Sequence, residues 1–314
     1  MDQNTIAIVW DFDKTLAAGY MQEPIFRKFN IDADAFWEEV NTLPQLYQAQ
    51  GIKVNTDTIY LNHMITCASQ GIFPSLNNEM LFDLGKELVF YPGIPGIFKT
   101  LRELIASDSK YQQFGIHVEH YIISTGLTSM IKGSAINAHV DGIWGCEFIE
   151  TPIKSRLRGA DEAALENSSI QQIGYIIDNT SKTRAIFEIN KGSNKHEFIN
   201  VNSRIENKDR RVPFSNMIYV ADGPSDVPVF SVVKQYGGRT FAIYPSGDIT
   251  AFRQVNQLIR DGRVDMFAEA DYSEGTQAYM WLTEQTKEIA DAIYQYLRTE
   301  AEKSASVPPR HISA

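Results

Sequence analysis

The sequence has no apolar run approaching the ~18 residues that a membrane-spanning helix needs; its first one, residues 6–10, is five long. No basic stretch or cleavage-like segment precedes that run, so a signal peptide is not expected and a soluble, cytoplasmic protein is. Basic residues are in the minority: 29 Lys and Arg face 39 Asp and Glu, a formal charge of −10 in 314 residues. With no long basic run, this balance argues against nucleic acid and anionic membranes as partners, while saying nothing of a single cleft. Cysteine is scarce. Cys67 and Cys146 are too few and too far apart for a disulfide framework or a zinc site, and are expected to be buried and reduced. The six histidines (His63, His117, His120, His139, His196 and His311) show no ligand spacing, and no internal repeat or low-complexity tract is present. Apolar residues, by contrast, make up 43% of the chain, which excludes a disordered or fibrous protein and suits one large domain or two unequal ones.

Short apolar runs bounded by turn residues read as buried parallel strands: residues 6–10, 121–123, 217–220 and 240–244, with weaker ones at 173–177 and 266–268. Helical patterns cover 97–105, 128–138, 183–189 and 276–297. Strands alternating with helices predict an α/β fold, a doubly wound and mostly parallel Rossmann-like sheet. Residues 19–89 break the alternation. They are rich in helix formers and aromatics (Phe26, Phe29, Phe36, Trp37, Tyr47, Tyr60) without a convincing strand, and read as an inserted helical unit. Trp37, Tyr47 and Tyr60 are expected to be core of that unit rather than a cage for a cationic head group. The polar stretch 192–213 reads as a surface excursion, and residues 301–314 as a flexible tail.

The first strand runs into Asp11-Phe12-Asp13-Lys14-Thr15. Ligands of open α/β sheets bind beyond the carboxyl ends of strands, and alternation lets Asp11 and Asp13 flank one small space. Two carboxylates there suit a hard divalent cation, and one can serve as a nucleophile. The run 217–220 ends the same way, in Ala221-Asp222-Gly223-Pro224-Ser225-Asp226, returning a second acid to the same rim. Four carboxylates at one sheet edge require a cation to be tolerable. The run 121–123 ends in Ser124-Thr125-Gly126, where a hydroxyl and free backbone N–H groups ahead of a helix suit phosphoryl oxygens. Lys182 sits near a helix start, unfavourably for the helix dipole, so something else is expected to hold it there. Gln22 and Glu23 follow the first motif where the insertion begins and are candidate substrate contacts; Asp141 and Asp178 read as turn residues.

In order, these strings resemble the four motifs of the haloacid-dehalogenase-like superfamily of phosphohydrolases. Asp11 to Thr15 match its first motif, DxDxT; Ser124 the second; Lys182 the third; and Asp222 to Asp226 the fourth. Ala221 departs from the glycine usual before the fourth motif. An insertion between the first and second motifs resembles the phosphoserine-phosphatase-like branch with a helical cap. The division implied is a discontinuous α/β core of residues 1–18 and 90–300 and a cap of 19–89.

The resemblance implies a magnesium-dependent phosphomonoesterase acting on a small phosphorylated metabolite, foremost an amino-acid or amino-alcohol phosphate. Asp11 would be the nucleophile and Asp13 the acid and base. Mg²⁺ would be held by Asp11, Asp13 through its backbone carbonyl, and Asp222, with Asp226 orienting the metal's water shell. Ser124, Thr125, Gly126 and Lys182 would bind phosphate. A phosphotransferase or mutase is the first alternative. A non-enzymatic phosphoaspartate signalling module is the second, disfavoured because such modules need neither an acid at Asp13 nor a large cap.

Overall fold

The computed structural model describes residues 3–153 and 169–305. Strand β1 (Thr5–Trp10) is buried at every position, as the apolar run from Ile6 to Trp10 requires of a central parallel strand. Four helices follow: α1 (Glu23–Phe29), α2 (Ala33–Ala49), α3 (Ile59–Ser69) and α4 (Asn78–Gly85). Asp32 caps α2 by accepting from the N–H groups of Asp34 and Ala35, and Asn77 caps α4 by accepting from Met80. The chain then returns through α5 (Gly96–Ala106), which buries Ile97, Phe98, Leu101 and Ile105 on one face, and the single turn α6 (Ser109–Gln112). Next come β2 (His117–Leu127), α7 (Thr128–Gly133), β3 (Gly142–Ile149), β4 (Gln172–Tyr175) and α8 (Ser181–Lys191). The last third comprises β5 (Met217–Ala221), α9 (Val227–Gln235), β6 (Arg239–Tyr244), α10 (Ile249–Arg260), β7 (Met266–Glu269) and α11 (Gln277–Ala305).

Among the described residues the strands form one seven-stranded sheet in the order β4-β3-β2-β1-β5-β6-β7. All pairings are parallel except β3 with β4. The winding runs outward from β1 to one side through β2 and β3, then to the other through β5, β6 and β7, so the direction reverses between β1 and β5. This is the doubly wound α/β sheet that the sequence predicts. No described helix is long and apolar enough to cross a membrane.

Several local expectations change. Strand β3 was not anticipated, because Gly142, Gly145 and the exposed Glu147 interrupt its apolar pattern. The strand expected at 173–177 is shifted to β4 and runs antiparallel at the sheet edge, with Ile176 left 43% exposed. The helix expected over 128–138 ends at Gly133, where the backbone of α7 meets that of α4. A Cβ on Gly133 would stand 1.8 Å from the carbonyl oxygen of Phe82, and one on Gly85 would stand 2.1 Å from that of Met130. Only a residue without a side chain fits at either place. Helix α11 continues to Ala305, past the expected end at 297, so the tail of 301–314 begins as helix; residues 306–314 lie outside the described residues. Cys67 and Cys146 are buried and unpaired.

The polar excursion 192–213 is irregular apart from a single turn, Asn207–Asp209, yet its end is tied to the core. Val212 is fully buried, and the Arg211 guanidinium reaches Glu119 on β2 with both nitrogens, at 2.7 and 2.5 Å.

Candidate active site

The carboxyl ends of β1, β2 and β5 lie side by side at the point where the winding reverses, the usual ligand crevice of such sheets. Asp11 is locked at the tip of β1 by a last ladder bond, its N–H donating to the Val220 carbonyl at 2.9 Å. The chain then tightens: the Phe12 carbonyl accepts from Thr15, Leu16 and Ala17, and Lys14 takes a left-handed conformation at φ 57°. Beyond β5, Gly223 to Asp226 make a one-turn reversal closed by the Asp226 N–H on the Gly223 carbonyl at 3.1 Å. That turn swings Asp226 back beside Asp11.

Between these acids stands Lys182. Its Nζ donates to Asp11 Oδ1 and to Asp226 Oδ1, both at 2.7 Å, with all three residues buried. The two carboxylates explain a lysine in the first turn of α8, where the helix dipole opposes it. Asp178 builds that turn, accepting from the N–H groups of Thr180 and Ser181 at 3.0 and 2.6 Å. Asp226 also accepts from the Tyr219 hydroxyl at 2.5 Å and from Ser225 at 3.0 Å, and Asp11 from Thr15 at 3.3 Å.

Asp11, Asp222 and Asp226 each place one carboxylate oxygen such that the three atoms lie within 4.8 Å of one another. A set of hard oxygen donors this close fits a small divalent cation such as Mg²⁺. The electrostatics agree with an excess of negative charge. Burial, opposed by Lys182 and reinforced by Asp226, pushes the Asp11 carboxyl up to about 6. Burial, then repulsion from Asp11 and Asp226, pushes Asp222 up to about 8. The Asp13 carboxyl is held well above the usual carboxylate range, chiefly by burial and next by Asp11. Burial works against the Lys182 ammonium, but Asp11 and Asp226 more than offset it.

The carboxyl of Asp13 stands apart from the trio and accepts from the Met21 N–H at 3.0 Å.

The second motif needs correction. Strand β2 does not end at Ile123 but runs to Leu127, and its pairing with β3 shifts register between Ile123 and Leu127. Ser124, Thr125 and Gly126 thus lie in a bulged strand end, not in a turn before a helix. Their polar groups are also not all free. The Gly126 N–H donates to Ser124 Oγ at 3.0 Å, the Leu127 N–H to Met21 Sδ at 2.9 Å, and the Thr125 carbonyl accepts from the Tyr60 hydroxyl at 2.7 Å.

Of the two candidate substrate contacts, Gln22 is buried beside Tyr60, its Oε1 without a hydrogen-bond partner among the described residues. Glu23 is exposed and accepts from the Tyr20 N–H at 3.3 Å. Asp141 is a structural anchor, accepting from Arg102 at 2.6 Å and from the His120 N–H at 2.8 Å. Trp37 packs against Tyr20, Phe26, Phe36 and Tyr60, as expected of core.

Two residues of the site were missed in the sequence, Tyr219 and Met21, and Tyr60 was read there only as core of the insertion. Tyr219 carried a signal, since a tyrosine in the middle of an otherwise aliphatic buried strand must find a partner for its hydroxyl. Met21 and Tyr60 carried none, because their partners lie 106 and 65 residues away.

No protein-family model matches the chain. A protein of Borreliella burgdorferi, described as uncharacterized, is 36% identical over 286 residues, covering 90% of this chain and 96% of that one. Two solved structures are similar in fold. A HAD family hydrolase from Salmonella enterica serovar Typhi superposes with a TM-score of 0.50 at 14% identity, over 90% of this chain and 72% of that one. A probable phosphoserine phosphatase from Vibrio cholerae, in unliganded form, does so with a TM-score of 0.50 at 12% identity, over 92% and 67%. The chain therefore belongs to one family with the uncharacterized Borreliella burgdorferi protein, and its fold is that of the haloacid-dehalogenase-like hydrolases.

Proposed function

We propose that the protein is a phosphomonoester hydrolase that works through a phosphoaspartate on Asp11 and requires Mg²⁺. The observation that carries this reading is the trio Asp11, Asp222 and Asp226 closed around Lys182 at the reversal of the sheet, with Asp13 two residues beyond. Asp11, Asp222 and the backbone carbonyl of Asp13 would hold the metal, with Asp226 behind them. The cation, when bound, neutralises charge so that an anionic carboxylate can approach an anionic phosphate.

Asp11 attacks phosphorus through a carboxylate oxygen as the alkoxide leaves. Lys182 and Ser124 hold phosphoryl oxygens, and Lys182 keeps the nucleophile in place by its bond to Asp11 Oδ1. Asp13, steadied at Oδ1 by the Met21 N–H, gives its proton to the leaving oxygen. It then takes one from the water that opens the phosphoaspartate. The helices α1–α4 are read as a cap over this crevice, with Tyr60 of α3 bonded to Thr125 and Asn55 to Asp178 at 3.0 Å. A capped crevice lined by polar groups favours a small phosphorylated metabolite and excludes macromolecules.

The test is turnover of p-nitrophenyl phosphate with Mg²⁺. Asp11→Asn is expected to abolish it, at a loss of at least about a thousandfold, with the fold intact. A variant keeping more than about a tenth of the rate, equivalent to ~1.4 kcal/mol, removes Asp11 as nucleophile. Asp13→Asn separates the acid role: transfer from an alkyl phosphate should slow far more than from p-nitrophenyl phosphate, whose leaving group needs no proton. With the latter, a trapped phosphoaspartate should accumulate. Equal slowing with no trapped intermediate contradicts the mechanism.

A further inference from the structure

At the opposite end of the sheet two cavities, of 390 and 460 Å³, share Gln3, Pro213, Ser215 and Tyr296 and so form one cleft. It lies at the amino ends of the strands. Gln3 precedes β1, Asn216 precedes β5 and Arg239 opens β6, while α11 supplies the facing wall through Ile289, Ile293 and Tyr296. This places it a full strand length from the carboxylates.

The charge of the cleft runs against that of the molecule. In a chain of net charge −10, its lining includes Lys208, Arg210 and Arg239, and no Asp or Glu among the described residues. Arg239 is already engaged by Gln285 at 2.6 Å and Glu288 at 3.4 Å. Arg210 is not satisfied. Its Nη1 donates to Asn190 Oδ1 at 2.8 Å, but its Nε is buried and has no hydrogen-bond partner among the described residues. Arg210 thus lines the cleft with only Nη1 of its guanidinium bonded among the described residues, and a planar guanidinium fork suits paired phosphate oxygens.

The arrangement is held from several directions. Asn190 is fully buried and fixed by its own bond to the Val212 carbonyl at 2.7 Å. Gln3 pins the loop that carries Lys208 and Arg210 by donating to the carbonyls of Asn207 and Arg210, at 2.6 and 3.0 Å. The cleft also offers aromatic faces: Tyr236 and Tyr296, which line it, are 54% and 51% exposed. Half-exposed tyrosines beside an unsatisfied arginine suit a ligand that joins a flat ring to an anionic group.

We propose that this cleft binds a small organic phosphate bearing a planar base, of the size of a nucleoside monophosphate, with Arg210 and Lys208 on the phosphate and the tyrosines against the ring. The excursion 192–213 thereby has a use: it supplies the cationic wall. The proposal stands independently of the chemistry at the other end of the sheet.

The experiment is calorimetric titration of the full-length Asp11→Asn protein in chelator with adenosine monophosphate, and in parallel with adenosine and with inorganic phosphate. Adenosine monophosphate is expected to bind below about 1 mM and each fragment at least tenfold more weakly. Arg210→Gln and Tyr296→Ala, checked by circular dichroism for an intact fold, should each weaken binding at least tenfold. Turnover of p-nitrophenyl phosphate by the same substitutions in the otherwise unaltered chain should stay unchanged. No binding at about 1 mM, phosphate binding as tightly as the nucleotide, or affinity unaltered in both variants would each overturn the proposal.

Discussion

Two buried ionic clusters sit on neighbouring strands and differ in their arithmetic. At the amino end of β2, Glu119 meets one guanidinium, Arg211, in a two-pronged pair, and accepts from the Tyr121 hydroxyl at 2.5 Å. Charge and hydrogen bonds close there: burial pushes the Glu119 carboxyl up, but its partners His117, Arg211 and Tyr121 outweigh it and hold the carboxyl well below its usual range. At the carboxyl ends of β1 and β5, Lys182 answers two carboxylates, while Asp222 crowds the same space and Asp13, a little apart, adds to the charge. That cluster is left negative, and its acids are pushed up rather than down. A closed cluster serves the fold; an open one is a site waiting for charge.

The largest effect should come from opening the closed cluster. Arg211→Ala leaves Glu119 buried without its guanidinium and is expected to cost about 3–5 kcal/mol, read as a lowered denaturant midpoint. The turnover of the molecules that remain folded should be normal. A loss below about 1 kcal/mol would place this pair with ordinary surface bridges and erase the contrast.

Closing the open cluster comes next. Mg²⁺ at a hundred times its dissociation constant should stabilise the protein by about 2.7 kcal/mol, visible as a raised melting temperature that chelator reverses. In Asp222→Asn this increment should vanish, and in chelator that variant should melt above the unaltered chain, since one repelling carboxylate is gone. An equal Mg²⁺ increment in the variant would show that the metal binds elsewhere.

The smallest effect is the acid limb. Because the Glu119 carboxyl is held below the ordinary 4.5 in the folded chain, it stabilises the fold above that pH, and the contribution fades as pH falls below it. The slope is at most about 1.4 kcal/mol per pH unit. Glu119→Gln should be less stable at neutral pH and show a flatter decline below pH 4.5. An unchanged acid limb would contradict the assignment.

These clusters also mark where the sequence was legible. An apolar run that ends abruptly in acids is a local signal, so β1 with Asp11 and Asp13, and β5 with Asp222 and Asp226, could be read directly. Lys182 was legible by its conflict with the helix dipole. Arg211 was not, because it sits in a polar stretch whose composition says surface, and its partner lies 92 residues away. Strand β3 and the early end of α7 escaped for a related reason: both are set by what packs against them, at Gly142, Gly145 and Gly133, rather than by their own patterns.

The two glycines where α4 meets α7 constrain how the crevice admits a substrate. With Gly85 against Met130 and Gly133 against Phe82, backbone rests on backbone and no layer of side chains is left to slide. Helix α4 is therefore seated directly on the α/β core. Contact with the crevice is made instead by the segment between α2 and α3 and by α3 itself, through Asn55, Asp57 and Tyr60. For the cap proposed above, entry and release are expected to involve α3 and the segment before it rather than α4.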